Sequence, residues 1–196
     1  MCGIAGGWWP QPVPAQTQLP QALHAMRYRG PDDQGFELYP FNPAVVALGQ
    51  VRLSIIDLSA AGHQPMHSRD GRWAIVFNGE IYNYRELRAE LQALGHSFAS
   101  DSDTEVLLAA WARWGHTCLP RVAGMFAFAV LDRQSHSLTC VRDAFGINLD
   151  DFVTGDAGNT LVCKAAVLVE RLCRLCNDVL VFQIGGHGRS TAGSVF

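Results

Sequence analysis

A chain of 196 residues with 48% hydrophobic and 17% charged residues can bury a sizeable core, which excludes a disordered chain. A net charge of −3 gives no electrostatic reason to expect nucleic acid or an anionic membrane as a partner. The sequence has no apolar run long enough to cross a bilayer, and its first residues lack the basic flank and apolar stretch of a signal peptide, so a cytoplasmic location is expected.

The chain opens on "MCGIAGGWW", a buried-strand pattern with a cysteine directly behind the initiator methionine. Two readings of Cys2 stand at this point: a small hydrophobe that begins a strand, or a nucleophile. "PQPVPAQTQLP" comes next and reads as a proline-rich connector, with Pro20 in the first turn of a short helix through Leu23 and Met26 that ends at Gly30. "RYRGPDDQG" is turn chemistry. "PAVVALGQVRLSIIDL" predicts two strands, and "RWAIVFNGEIYNY" a third that stops at the turn dipeptide Asn78-Gly79.

Two helices come next. Asn83 with Glu86 starts the first, Leu87, Leu91 and Leu94 line one face, and Gly95 closes it. Ser102 with Glu105 is a capping-box pattern for the second, with Val106, Ala110 and Trp114 facing inward and Gly115 at its end. "GMFAFAVLDRQSHSLTCVRD" predicts a hairpin connected by Asp132 to Ser137. Beyond it, weak periodicity suggests a helix from about Leu161 to Cys176 and a strand at Val179–Ile184. Strands, then helices, then strands make an α+β fold with antiparallel sheet.

Six cysteines at irregular spacing read as free thiols. Cys173 and Cys176 form a single C-x-x-C pair, with His187 only a loose companion, so no metal site is expected. "IGGHGRST" lacks the Gly-Lys-Ser/Thr order of a phosphate loop.

Removal of Met1 would give Cys2 both a thiol and a free α-amine, a nucleophile and a base in one residue. The amine titrates near 7.7–8.0, so no separate histidine is required. Asn78-Gly79 could supply a side-chain amide and an unhindered N–H to an oxyanion, or could be a plain hairpin turn. Arg52 is either an edge-strand solvent residue or a fork for a substrate carboxylate. Asp103 either complements a helix dipole or holds an ammonium group.

Taken together, "MCGIAG", "RYRGPDDQG", "RLSIIDLSAAGHQPM", "FNGEIYNYRELRAEL", "SDSDTEVLLAAW", "GMFAFAVLD" and "RDAFGI" occur in one order. In that order they resemble the glutamine-hydrolysing domain of asparagine synthetases, within the N-terminal-nucleophile amidotransferases. The resemblance covers residues 1–147 and leaves 148–196 as an unrecognised tail. It implies a four-layer αββα sandwich and hydrolysis of L-glutamine to glutamate and ammonia through a thioester on Cys2. It also implies that Asn78 and Gly79 form the oxyanion hole, and that Arg52 clamps the α-carboxylate with Leu53, Ile55 and Ile56 along the pocket wall. Glu80 and Asp103 would contact the α-ammonium. No cofactor is expected for this step. ATP and Mg belong to the synthetase domain, which this sequence lacks and which would act as a further domain or as a subunit in trans. Where the family continues "RD-x-x-G-I" into Lys-Pro-Leu-Tyr, this chain does not, so a sheet edge is expected to be left unpaired unless "VLVFQI" supplies a strand. The alternative reading is a truncated or frame-shifted remnant that acts at most as a binding module.

Overall fold

Gly3–Trp9 forms β1, and all seven of its residues are buried. The computed structural model describes residues 2–9, 12–143, 179–184 and 190–195. β1 lies antiparallel to β3 (Ala44–Arg52), which pairs on its other side with β2 (Asp33–Phe41), giving a three-stranded sheet in the order β1-β3-β2. The second sheet holds β4 (Met66–His67), β5 (Trp73–Ile81), β6 (Gly124–Asp132), β7 (Ser137–Arg142), β8 (Val179–Ile184) and β9 (Ser190–Val195), in chain order and antiparallel throughout. The described residues also form three α-helices, α1 (Pro12–Ala25), α2 (Tyr84–Ala93) and α3 (Asp103–Trp114), besides short 3-10 segments.

Three apolar cores show how these elements stack. Ala15, Leu19 and Leu23 of α1 pack with Ala5, Ala47 and Val51 on the outer face of the small sheet. Ile4, Trp8, Val46 and Leu48 meet Val76, Ala129 and Leu131 between the sheets. Leu87 and Leu91 of α2 and Val106, Leu107 and Trp111 of α3 cover Phe77, Phe126 and Phe128 on the far face of the large sheet. The layers are therefore helix, sheet, sheet, helix, as the α+β sandwich reading requires.

Several local expectations change. The proline-rich connector is helical: α1 begins at Pro12, so Pro12 and Pro14 occupy the first turn, where a missing N–H costs no intrahelical bond. Pro20 lies inside the helix and forfeits one such bond, and the buried stripe Ala15, Leu19 and Leu23 offsets it. β2 starts within "RGPDDQG", because Asp33 already pairs with Arg52. The second of the two strands predicted around residues 44–58 is absent. β3 ends at Arg52, and the chain then loops through a single 3-10 turn at Ala60–Gly62. Asn78-Gly79 is no turn either: β5 continues to Ile81 with Asn78 opposite Ala127 and Gly79 opposite Phe126. A Cβ on Gly79 would fall 2.3 Å from the Met125 carbonyl oxygen, so glycine is what lets β6 pass this closely.

The helices begin and end nearly as expected. Ser102 caps α3 by accepting from the Thr104 and Glu105 N–H groups at 3.0 and 3.4 Å. Asn83 precedes α2 without capping it. Its side chain instead donates to Arg121 O and accepts from Ala123 N, tying the helix start to the segment before β6. Leu94 is exposed rather than inward-facing. The Asp132–Ser137 connection is a hairpin as expected, and β8 supplies the strand that pairs with β7, from Leu138↔Ile184 to Arg142↔Leu180. The helix expected from about Leu161 to Cys176 lies outside the described residues.

Asp132 locks the β6–β7 turn. It accepts from Arg72 Nη2 at 2.6 Å and from the Gln134 and Ser135 N–H groups at 2.9 and 3.2 Å. Burial pushes its pKa up, but the Arg72 and backbone hydrogen bonds outweigh that and hold it at about 2. A carboxylate depressed in the folded state stabilises above its unfolded value, near 3.9, and that stability is lost as pH falls toward the folded value. Asp132→Asn is expected to lower the midpoint of urea unfolding at pH 7, and the gap from wild type is expected to close between about pH 4 and pH 2. Unfolding curves across that range check it, and a constant gap would refute it.

Candidate active site

The start of β1, the end of β3, the open end of β5 and the N-terminus of α3 converge on one pocket of about 100 Å³. Cys2, Arg52, Leu53, Ile55, Ile56, Asn78, Gly79, Glu80 and Asp103 all line it, so all nine residues singled out from sequence are brought together.

Cys2 sits one residue before the first β1–β3 pair, Gly3↔Val51. Its Sγ accepts the Leu53 N–H at 3.3 Å and donates to the Leu53 carbonyl at 3.6 Å. Its own carbonyl accepts from Arg29 Nε at 3.1 Å. Burial pushes the thiol pKa up, and the Leu53 N–H and the nearby Arg52 charge oppose that without reversing it. A thiol held in its neutral form needs a base at the moment of attack.

Arg52 is 8% exposed. Its Nη1 donates to Ser59 O at 3.0 Å, and Nη2 donates to Asp57 O. The loop from Leu53 to Gly62 therefore folds back around the guanidinium, and a Cβ on Gly62 would lie 2.1 Å from Nη2. The Asp57 carboxylate turns away. It accepts from Ser59 N at 2.8 Å and Asp101 N at 3.0 Å, which fastens the loop to the segment before α3. These Arg52 partners are neutral carbonyls, which leave the guanidinium able to meet an anionic group in the pocket.

The "RGPDDQG" stretch braces the same loop from outside. Asp32 donates its N–H to Arg52 O at 3.0 Å and accepts from Ser54 N at 2.8 Å, and Asp33 meets His63 Nδ1 at 2.8 Å. Gly30 lies so close to β3 that a Cβ would fall 2.4 Å from the Val51 carbonyl carbon.

β4 pairs with β5 only at Ile75 and Ala74, so among the described residues β5 has no strand beside it from Phe77 to Ile81 on that edge. Side chains take over there. Phe77 N donates to Gln64 Oε1 at 2.7 Å, Phe77 O accepts from Gln50 Nε2 at 2.6 Å, and Ile81 N donates to Asp103 Oδ2 at 3.1 Å. Gly79 lies between them and, by the two-residue alternation of a strand, turns its N–H to the same edge. Asn78 is buried, Glu80 exposed and Ile55 exposed at the rim. Burial pushes the Asp103 pKa up to about 6, the Ile81 and Thr104 N–H groups pull it down, and Glu80 adds to the rise.

Arg29, Gln50, Gln64 and Thr104 were missed from sequence as parts of this site. Gln50 sits in the apolar run "VVALGQVR", and a polar residue inside such a run was the available signal. Gln64 and Thr104 carry no local pattern that separates them from loop and helix-start residues. Among the described residues no group of His, Cys, Asp and Glu could hold a metal ion, and no helix is long and apolar enough to cross a membrane.

A half-buried thiol, a guanidinium, an amide with a neighbouring N–H and a carboxylate in one small pocket can hold a zwitterionic amino acid and attack its side-chain carbonyl. Comparison with known proteins places the chain in a family. The chain is 40% identical over 183 residues to a Mycobacterium tuberculosis protein named as a glutamine-hydrolysing asparagine synthetase, covering 87% of this chain and 28% of that protein. It is 41% identical over 151 residues to glutamine-hydrolysing asparagine synthetase 1 of Bacillus subtilis, covering 75% of this chain and 23% of the relative. It thus spans less than a third of the length of these relatives. Among solved structures, the glutamine phosphoribosylpyrophosphate amidotransferase of Bacillus subtilis shares the fold, with a TM-score of 0.69 at 19% identity over 97% of this chain and 49% of that one. The sequence model of the glutamine amidotransferase domain matches residues 1–164, and the chain belongs to that family.

Proposed function

We propose that this domain hydrolyses L-glutamine to glutamate and ammonia through a γ-glutamyl thioester on Cys2, and that the ammonia serves ATP-dependent amide formation by a synthetase domain or subunit. The observation that carries the proposal is the placement of Cys2 Sγ in one pocket with Arg52, Asn78, Gly79 and Asp103. After removal of Met1, the α-amine of Cys2 takes the thiol proton as sulfur bonds to the side-chain carbonyl carbon. The developing oxyanion meets the Asn78 amide and the Gly79 N–H. The C–N bond then breaks, the amine returns its proton, and ammonia leaves. Water attacks the thioester by the same route, releasing glutamate and restoring the thiol. Arg52 holds the α-carboxylate, Asp103 and Glu80 the α-ammonium, and Leu53, Ile55 and Ile56 wall the methylene chain.

The hydrolysis itself needs no cofactor, whereas ATP and Mg are requirements of the synthetase part. The names of the relatives favour aspartate as the acceptor, which makes asparagine the product of the whole assembly. A free nucleophilic thiol suits the reducing cytoplasm.

Cys2→Ala is expected to abolish glutamate release from glutamine in a glutaminase assay. Normal turnover by this variant, or full activity in a preparation that retains Met1, would overturn the mechanism.

Arg52→Lys keeps charge but loses the fork. It is expected to raise KM for glutamine roughly ten- to hundredfold, the equivalent of about 1.5–3 kcal/mol of charge-assisted binding, with a smaller change in kcat. Asn78→Ala is expected to do the reverse, lowering kcat by roughly 10²–10³ with little change in KM. Steady-state kinetics check both, and swapped phenotypes would reverse the assignment.

Asp103 must be ionised to hold an ammonium group, while the amine must be neutral to act as base. Below about pH 7.7 protonation of the amine lowers kcat/KM tenfold per pH unit, and below about pH 6 protonation of Asp103 adds a second factor of ten. The logarithmic slope is therefore expected to steepen from one to two near pH 6, and Asp103→Asn is expected to keep a slope of one. A wild-type slope that stays at one down to pH 5 would count against Asp103 as the ammonium contact.

A further inference from the structure

We propose that Gln50 and Gln64 are positioning residues for glutamine hydrolysis, acting together as a substitute strand that fixes the Phe77 peptide units and so aims the Asn78 amide and the Gly79 N–H. The inference rests on the glutamine-hydrolysing reading above.

The argument starts from what β5 lacks. Its last pair with β4 is Met66↔Ile75, while on the other side β6 accompanies it as far as Ile81↔Gly124. Among the described residues no strand continues that edge, so from Phe77 onward one row of backbone groups would be buried with no ladder partner, a loss that native interiors do not tolerate. Gln64 Oε1 accepts the Phe77 N–H at 2.7 Å, and Gln50 Nε2 donates to the Phe77 carbonyl at 2.6 Å. The two amides thus reproduce, at one residue, the paired donor and acceptor that a neighbouring strand would offer.

Both side chains are almost wholly buried, Gln50 at 2% and Gln64 at 3% exposure. They come from different elements. Gln50 is carried by β3 of the facing sheet, opposite Ile4 of β1, two residues along from Cys2. Gln64 belongs to the loop that leads into β4, and its amide nitrogen donates to Thr104 Oγ1 at 3.2 Å on the first turn of α3. Gln50 therefore ties the strand that carries the oxyanion donors to the strand that registers Cys2, and Gln64 ties it to the helix start that carries Asp103.

A full strand at this edge would also cover Gly79. Two glutamines satisfy Phe77, Asp103 satisfies Ile81 N, and the edge at Gly79 between them faces the pocket. Neither glutamine needs to touch the reacting atoms for this role. Its signature is a loss in kcat at nearly constant KM, because ground-state glutamine is held chiefly by Arg52 and Asp103, whereas the oxyanion forms only in the transition state.

The test compares wild type with Gln50→Met and Gln64→Met, which keep length but remove the amides. Gln64→Asn, one methylene too short to reach Phe77 N, serves should a methionine variant fail to fold. Active sites are counted by the stoichiometry of labelling with a chloroketone analogue of glutamine, so that unfolded protein does not lower the apparent kcat. The expected result is a fall of at least tenfold in kcat per labelled site, with KM for glutamine within threefold of wild type. Gln50→His, whose ring Nε2–H reaches about as far as the glutamine nitrogen, is expected to recover most of the Gln50 loss. Unchanged kcat per labelled site would overturn the proposal, since the amides would then serve stability alone. A KM rise as large as the kcat loss would overturn it too, because the whole pocket would have collapsed. A wild type without glutaminase activity would instead overturn the underlying reading.

Discussion

The register of β1 on β3 sets the distance between nucleophile and binding groups. Gly3 faces Val51, so Cys2 comes to rest beside Leu53, whose N–H reaches its sulfur. Arg52 lies between those two positions in sequence. Side chains alternate across a strand, so a slip of one residue would send Cys2 to the opposite face and remove it from the pocket. Small residues and close packing hold the register. A Cβ at Gly6 would approach the Ala47 carbonyl oxygen to 2.6 Å, while Trp8 and Trp9 anchor the far end of the strand in two different cores.

That register also sets the electrostatics. The pocket is built to leave charge available. Arg52 is held by carbonyl oxygens of Ser59 and Asp57, and the Asp57 carboxylate is occupied by the Ser59 side chain and by the Ser59 and Asp101 N–H groups, which hold its pKa below the usual carboxylate range. Asp103 has the opposite environment, since burial makes its ionised form expensive. A ligand ammonium would relieve that cost, and a ligand carboxylate would meet the charge of Arg52. Only a molecule that bears both groups at the right separation does both, which favours an amino acid over a simple amide.

Legibility from sequence tracks the range of the interaction. The fold class, α2, α3 and the β6–β7 hairpin were readable because caps and apolar spacing are local; Ser102 and the Leu87–Leu91 stripe declare themselves. α1 was misread because proline propensity was weighed without the buried stripe of Ala15, Leu19 and Leu23, a tertiary contact with β1 and β3. Asn78-Gly79 was misread as a turn for the same reason. The glycine serves a close approach of β6, which only the paired strand reveals. Local chemistry left Cys2, Arg52, Asn78-Gly79 and Asp103 with two readings each, and only the joint order of seven segments singled out all nine residues that line the pocket. Gln50, Gln64 and Arg29 stayed hidden because each acts on backbone atoms far away in the chain, and no spacing rule links residue 50 to residue 77.

The segment beyond Asp143 shows what the fold asks of a chain far from its chemistry. β5 bears the site, and β6 and β7 separate it from β8, so at about 4.8 Å per strand the added edge lies roughly 14 Å away. β7 has its own anchor at its end, where Asp143 Oδ2 accepts from Phe126 N at 2.9 Å and Asp143 N donates to Phe126 O at 2.8 Å. That clamp fixes the position of β6, and through β6 that of Gly79, independently of β8 and β9. The two outer strands need only provide backbone pairing along Leu138 to Arg142, a requirement that many sequences meet. Variation of sequence along these two strands is thus compatible with the pocket as it stands, because the ladder reads main-chain groups while the pocket is lined chiefly by side chains.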